Sequence, residues 1–444
     1  MNRKQALSAA LIAGLSCLLL AVPPGDASLR TGPAAPPGDG RSRPADFDPI
    51  SYFQGEAARL FPESVELRRQ LHRFPEPCFQ ERETAAFVAA CLKKLGLDVT
   101  TGIAGTGIKA VLRGGLPGPV IGMRADMDAL PIEEATGLSF RSRNPGRMHA
   151  CGHDAHMTHV LTAARLLSGI RDRLPGTVVF IFQPCEEGAP KKEKGGAERM
   201  IEAGVLENPR LQALLALHVL PELPAGRVSL RPGAIMANVA WIYIHIQGKA
   251  AHGAFPHQGI DAIVAAASAI TQFQTLISRS KDPGEKAVLT IGKISGGVRT
   301  NVIAETVDME GTVRTFSDAL ENQILAGIGG ILRGLEEAFG VKASLDFEKV
   351  NPAVWNDAGL HDLVLPVFQK MLGRDNVLAA EPLTIGEDFA LYTRRLPSLL
   401  FFLGSGGGSP LHAPTFSVDE EILKTAPALL AGAAYAFLEQ NGKP

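Results

Sequence analysis

"TVVFIFQPCEEG", residues 177–188, decides the architecture. Its apolar residues run without alternation, the pattern of a short strand buried on both faces, and then break into polar residues. Working outward, "PVIGMRAD" (119–126) is a strand and "DAHMTHVLTAARLLSGI" (154–170) a helix. "GGAERMIEAGVL" (195–206) is helical and "LQALLALHV" (211–219) ends in another strand. Strands alternating with helices predict an α/β fold with a mostly parallel, helix-flanked sheet.

Further upstream, "PESVELRRQLHRFP" has helical spacing, with Val65, Leu67, Leu71 and Phe74 largely on one side. "ERETAAFVAACLKKLG" is a second helix ended by Gly96, and Cys91 belongs to its apolar face. Downstream the pattern changes. "VAWIYIHIQG" (239–248) is a strand, then come a helix (259–280), two strands, a helix (317–339) and "VKASLDFEKVNP". That β-α-β-β-α-β order is a split βαβ layout. Sheet character returns with "SLLFFLGSG" (398–406). The expected organisation is a catalytic domain in two parts, 49–235 and 351–444, with a smaller domain, 236–350, inserted between them.

The N-terminus reads as a leader. Arg3 and Lys4 precede an apolar run from Ala6 to Val22, then prolines and small residues including Gly25 and Ala27. This is the layout of a secretory signal peptide over 1–27, with residues 28–48 as a Pro- and Gly-rich linker. The run falls short of the roughly 20 residues that a membrane span prefers, and no other stretch reads as one. An exported protein, periplasmic or secreted, is the expectation.

At 444 residues, with 45% hydrophobic and 20% charged residues, the chain has the balance of a globular protein larger than one core. A net charge of -2 without a basic cluster argues against a nucleic-acid partner.

The polar residues that follow strands gather at one end of such a sheet, where open α/β folds place their ligands. "RADMDALP" supplies Asp126 and Asp128, "FQPCEEG" supplies Glu186 and Glu187, and "LALHV" supplies His218. "MHACGHDAH" (148–156) leads into a helix, and "LHAPTF" places His412 near the C-terminus. Two carboxylates directly after a buried strand are costly without a counter-charge, and one or two divalent cations would offset that cost. Cys, His and Glu suit zinc, and manganese suits an oxygen-rich set. Residue types alone leave Cys151 open as ligand, nucleophile, disulfide half or core residue. They also leave open which of Glu186 and Glu187 binds metal and which acts as base.

Taken together, "LRRQLHRFPEPCFQE", "RADMDALPIEE", "MHACGHDAH", "FQPCEEG", "LHV", "AHGAFPHQGIDAI", "NVIAE", "GTVRTF", "GEDFA" and "LHAPTF" resemble the aminoacylase/carboxypeptidase family of metal-dependent amidohydrolases. The branch is that of hippurate hydrolases, indoleacetyl-amino-acid hydrolases and N-acetyl-diaminopimelate deacetylases. The resemblance implies that Cys151, His153, Glu187, His218 and His412 hold two ions, zinc or manganese, with nickel or cobalt as further options. It implies Glu186 as general base, and His252, Asn301 and Arg314 as partners of the substrate carboxylate or the oxyanion. It also implies hydrolysis of N-acyl amino acids or short peptides with a free carboxylate. The inserted βαββαβ domain would be a lid and the contact surface of a homodimer, through its exposed face and strand edge. Two departures from the family pattern stand out: Cys185 where Ala is usual and Cys78 where Gly is common. Cys185 is expected near Cys151, with oxidation between them a hazard. Two other readings are a thiol hydrolase with Cys151 as nucleophile and His153 or His156 as base, and a non-catalytic peptide- or metal-binding protein.

Overall fold

The computed structural model describes residues 47–189 and 193–442. Helices α1 (Pro49–Arg73) and α2 (Arg82–Lys94) open it, followed by a hairpin of β1 (Asp98–Ile103) and β2 (Gly107–Arg113). Then β3 (Leu116–Asp126), α3 (His153–Ser168), β4 (Pro175–Gln183), α4 (Gly196–Glu202) and β5 (Ala213–Leu220) alternate as the sequence predicts. Short strands β6 (Val228–Leu230) and β7 (Gly233–Met236) follow. The next segment holds β8 (Asn238–Gln247), β9 (Ala251–His252), α5 (Ala262–Thr275), β10 (Ala287–Gly296) and β11 (Val302–Ile303). It continues with β12 (Thr306–Thr315), α6 (Asp318–Phe339) and β13 (Lys342–Asn351). The chain returns through β14 (Val354–Asn356), α7 (Ala358–Leu372), β15 (Val377–Ala379), α8 (Ala390–Thr393), β16 (Ser398–Gly404) and α9 (Ile422–Asn441).

The large sheet runs β1-β2-β4-β3-β5-β16-β6-β15. Its centre, β4-β3-β5-β16, is parallel, and the β1-β2 hairpin joins β4 antiparallel. Because side chains alternate across a strand, each central strand feeds two cores. Val178, Phe180 and Phe182 of β4 enter the core shared with α1, α3 and α9, while Val179 and Ile181 enter the core under α4 and α8. Leu215 and Leu217 of β5 go to the first core, and Leu214 and Ala216 to the second. Each large apolar side chain so buried contributes about 1.5–3 kcal/mol. This is why β4 lacks a polar face: neither side of it meets water.

The segment from β8 to β13 builds a separate antiparallel sheet, β10-β12-β8-β13. Helices α5 and α6 cover one face of it with their own core, including Ala265, Ala269, Phe273, Ile324, Ile328 and Leu332 against Ile242, Ile244 and Met309. Asp261 and Ser317 cap these helices through side-chain bonds to the first-turn amides. The chain enters and leaves the segment side by side, since β7 pairs with β14.

Three expectations change. The last two residues of the expected linker are structured, with Phe47 packed on the core and Asp48 capping α1; the leader itself lies outside the described residues. Helix α9 is long and apolar enough to cross a membrane by length and composition, although no such stretch was expected. Most of it is buried in the core, which accounts for its composition. Cys185 is not beside Cys151 as a redox partner: it is disulfide-bonded to Cys78, and Cys151 stands outside that bond.

Candidate metal centre

Residues from five segments meet at the carboxyl ends of the parallel strands. Gly152, at φ 91°, turns the chain sharply into α3, and a Cβ there would lie 2.5 Å from Val219 Cγ2. Only glycine fits both demands. The turn presents Cys151 and His153 toward His218 on β5 and toward the turn after β4. His153 Nδ1 lies 2.8 Å from the Asp128 carbonyl oxygen. A carbonyl only accepts, so Nδ1 carries a hydrogen, and Nε2 is the nitrogen turned toward Glu186 and Glu187. His218 is set the same way, with Nδ1 donating to the Val219 carbonyl at 2.8 Å. Its Nε2 faces Cys151 Sγ at 3.4 Å.

Asp128 also shapes the opposite wall. Its carboxylate accepts the Glu186 N–H at 2.9 Å and the Glu187 N–H at 3.0 Å. Glu187 Oε1 then lies 3.8 Å from His153 Nε2 and 3.3 Å from His412 Nε2, and Glu186 Oε2 lies 3.9 Å from His153 Nε2. His412 arrives on the loop after β16 in a left-handed conformation, φ 64°, with its N–H donated to the Ala150 carbonyl. Its Nε2 is 3.4 Å from Cys151 Sγ. The structure therefore brings Cys151, His153, Glu186, Glu187, His218 and His412 together.

His252, Asn301 and Arg314 sit on the inserted segment, and no hydrogen bond or ion pair joins them to that group among the described residues. His252 pairs with Val302 across β9-β11, and the Gly253 N–H donates to the Asn301 carbonyl, so His252 and Asn301 share one ribbon. The Ala254 N–H reaches His252 Nδ1 at 3.1 Å, which leaves the hydrogen on Nε2. Arg314, at the end of β12, is half-buried and donates from Nη1 to the Thr384 carbonyl at 2.8 Å.

Beneath the centre lies a second layer that residue types did not disclose. Fully buried Arg124 binds Asp126, Glu387 and Asp388, and takes Gln183 on Nε. Asp126 in turn accepts from His156 Nδ1 at 2.8 Å, while His156 Nε2 accepts the Val219 N–H at 3.0 Å. Both nitrogens of His156 are spent, so it is neither ligand nor base. The signals were present in "RADMD" and "GEDFA", yet their pairing joins residues 263 apart in sequence.

The electrostatics favour a cation. Burial opposes protonation of His153, yet the Asp126, Asp128 and Glu187 carboxylates push it up to about 10. Burial and the neighbouring His156 bring His218 down to about 4, leaving it a neutral donor of electrons. Burial, reinforced by Glu187, Glu186 and Asp126, holds the Cys151 thiol well above the usual range. A thiolate there requires added positive charge. His153 Nε2 is buried without a hydrogen-bond partner, and Glu187 Oε1 has only its ion-pair contacts with His412 and His153, which is costly unless a ligand completes them. Cys151–His153–His218, Cys151–Glu187–His412 and His153–Glu186–Glu187 each place three ligand atoms within 4.8 Å of one another. The donor set joins one soft thiolate, borderline imidazoles and hard carboxylates, the residue types that hold divalent metals.

The profile of the peptidase family M20/M25/M40 matches residues 122–436, more than half of the chain. The chain belongs to the M20/M25/M40 peptidase family. Among its relatives, N-acetyl-L-cysteine deacetylase of Bacillus subtilis is 39% identical over 377 residues, covering 85% of this chain and 88% of that protein. N-acetyldiaminopimelate deacetylase of Exiguobacterium sibiricum is 40% identical over 362 residues, covering 81% and 95%. The crystal structure of B. subtilis YXEP protein, described as a dinuclear metal binding peptidase of the M20 family, superposes with a TM-score of 0.76 at 35% identity, covering 86% of this chain and 99% of that one. As an M20 protein the chain is a hydrolase of C–N amide bonds, and its fold is the expected one. The expectation of an exported protein, periplasmic or secreted, is overturned by the same comparisons. The Exiguobacterium deacetylase is matched over 95% of its own length, which leaves no space in it for a counterpart of residues 1–27.

Proposed function

We propose that this M20 hydrolase removes the acyl group from N-acyl amino acids, or the last residue from short peptides bearing a free carboxylate. The observation that carries the reading is the convergence of Cys151, His153, Glu187, His218 and His412 in one cluster where two buried ligand atoms lack hydrogen-bond partners. These five residues would hold two divalent cations, zinc or manganese. Bound there, the ions would polarise the scissile carbonyl and ease the deprotonation of a water.

Glu186 is the base. Its carboxylate borders the ligand set without the His412 contact of Glu187, and its amide is pinned by Asp128. Burial, with Glu387, Glu187 and Asp388 around it, pushes its carboxyl well above the usual range. Beside bound cations the carboxyl would release that proton, and the carboxylate then takes the proton from the attacking water and returns it to the leaving amine. Two residues would serve the substrate's negative charges: Nε2–H of His252 for the developing oxyanion and the Arg314 guanidinium for the carboxylate, with Asn301 beside His252. The segment from 236 to 350 would act as lid and as the contact surface of a homodimer.

The thiol-hydrolase reading is disfavoured because His156 has no free nitrogen, and burial together with the acidic surroundings keeps the Cys151 proton in place. The test is hydrolysis of a panel of N-acyl amino acids and dipeptides by protein as prepared, after chelation, and after return of zinc, manganese, nickel or cobalt. Activity should vanish on chelation and return with a metal. Glu186→Gln should bind metal normally and lose on the order of 100- to 10,000-fold in kcat. Chelator-resistant turnover abolished by alkylation would instead make Cys151 a nucleophile. Tight metal binding without turnover would make the chain a binding protein.

A further inference from the structure

The turn that carries Glu186 and Glu187 is cross-linked immediately before them. Cys185 is buried, and its sulfur is bonded to Cys78, 107 residues earlier, in the loop between α1 and α2. Cys185 has φ 51°, a left-handed conformation that a non-glycine residue keeps only when its surroundings hold it. Its N–H donates to Glu81 Oε1 at 3.0 Å, and its carbonyl accepts the Gly196 N–H at 3.0 Å. Glu81 is rooted in the same loop as Cys78 and also accepts the Phe79 N–H and the Thr106 hydroxyl. On the outer side, the Arg199 guanidinium of α4 lies 4.0 Å over the Phe79 ring. The 76–81 loop is thus a clamp on the ligand turn, made of one covalent and one hydrogen-bonded arm.

We propose that Cys78 and Cys185 are positioning residues for the metal centre. Their disulfide holds residue 185 in its left-handed turn and so aims Glu186 and Glu187, and its reduction by a dithiol lowers metal affinity and turnover. This rests on the reading of Glu187 as ligand and Glu186 as base. Cys78 is half-buried and Cys185 fully buried, so an incoming thiolate reaches the Cys78 sulfur. The S–S bond breaks, a mixed disulfide forms at Cys78, and Cys185 leaves and takes a proton. The second thiol of the dithiol then displaces the Cys78 thiol and closes its own disulfide. Two electrons and two protons pass to the protein. Once the tether is open, residue 185 relaxes toward ordinary φ, which rotates the two glutamates that follow.

The full chain and the double variant C78S/C185A, each before and after treatment with a trialkylphosphine that is then removed, test this. Thiol counting on denatured protein should show two additional thiols in the treated wild type. Zinc titration by calorimetry should show affinity falling on the order of tenfold in the reduced wild type. Amide exchange at residues 185–187 should accelerate, and kcat should fall with KM little changed. The double variant should match reduced wild type and ignore the phosphine. Equal affinity and equal exchange in oxidised and reduced wild type would overturn the proposal. So would a phosphine response of the same size in the double variant, which would assign the effect to Cys151, or a wild type that gains no thiols. Redox-dependent affinity and exchange without turnover on any substrate would uphold the positioning role and sink the function proposed above.

Discussion

Glu81 shows how much one side chain can carry while remaining invisible in composition. Burial, with Asp128 nearby, pushes its carboxyl up to about 7, even though hydrogen bonds from Thr106 and Cys185 pull the other way. The folded protein therefore holds this proton more tightly than the unfolded chain. The stability it confers is complete below the ordinary carboxyl range and is lost as pH rises through about 7. In metal-free protein, wild type should lose roughly 3 kcal/mol relative to Glu81→Gln between pH 4.5 and 8. Urea unfolding across that range measures it, and a constant difference between the two proteins would refute it. Other residues were legible for a clear reason. Cys151, His153, Glu187, His218 and His412 each follow a strand or enter a helix, so pattern alone sends them to one edge. His156 was not, because its two hydrogen bonds come from residues 30 and 63 positions away.

At the scale of elements, the start of α3 is the junction most sensitive to shape. Gly152→Ala would force an L side chain into φ 91° and its Cβ onto Val219. A cost of about 2 kcal/mol follows from the backbone and the contact together. His153, the next residue, would shift with the turn, so the rise in melting temperature on adding zinc should shrink well below that of wild type. Thermal melts with and without metal check both effects; an unchanged metal-induced rise would show that the turn does not aim His153. Strands were legible where burial shapes the pattern, as in the unbroken apolar run of β4 and the alternation of β8. Element prediction missed the β1-β2 hairpin because β1 is exposed along most of its length and shows no apolar alternation. It also missed the Cys78–Cys185 bond, since two lone cysteines 107 residues apart carry no spacing signal.

Across the whole molecule, apolar exposure concentrates on the inserted segment. Ile263 and Val264 of α5, Ile294 of β10 and Val298 just beyond it are open, Val298 by 86%. Strand β10 is also an edge of its sheet. Together these features support the proposed homodimer, since an open edge with apolar neighbours is a surface that proteins cover. The double substitution Ile294→Lys with Val298→Glu should halve the mass measured by light scattering while leaving the thermal transition intact. A wild type that runs as a monomer would dispose of the dimer. Fold class and layer order were legible at this scale because strand and helix periods differ. The charge network under the site was not, because Arg124 meets Glu387 and Asp388 only after β3 and the loop before α8 have come together.

Asp128 has a further consequence. Its carbonyl oxygen orients His153 while its carboxylate holds the amides of Glu186 and Glu187. His153 and the two glutamates, borne on different elements, are thus surveyed from a single benchmark. Because all three are referenced to one residue, placement errors do not accumulate along the chain between them. The spacing between His153 and the two glutamates thus depends on one side chain and its backbone, not on the register of the whole sheet.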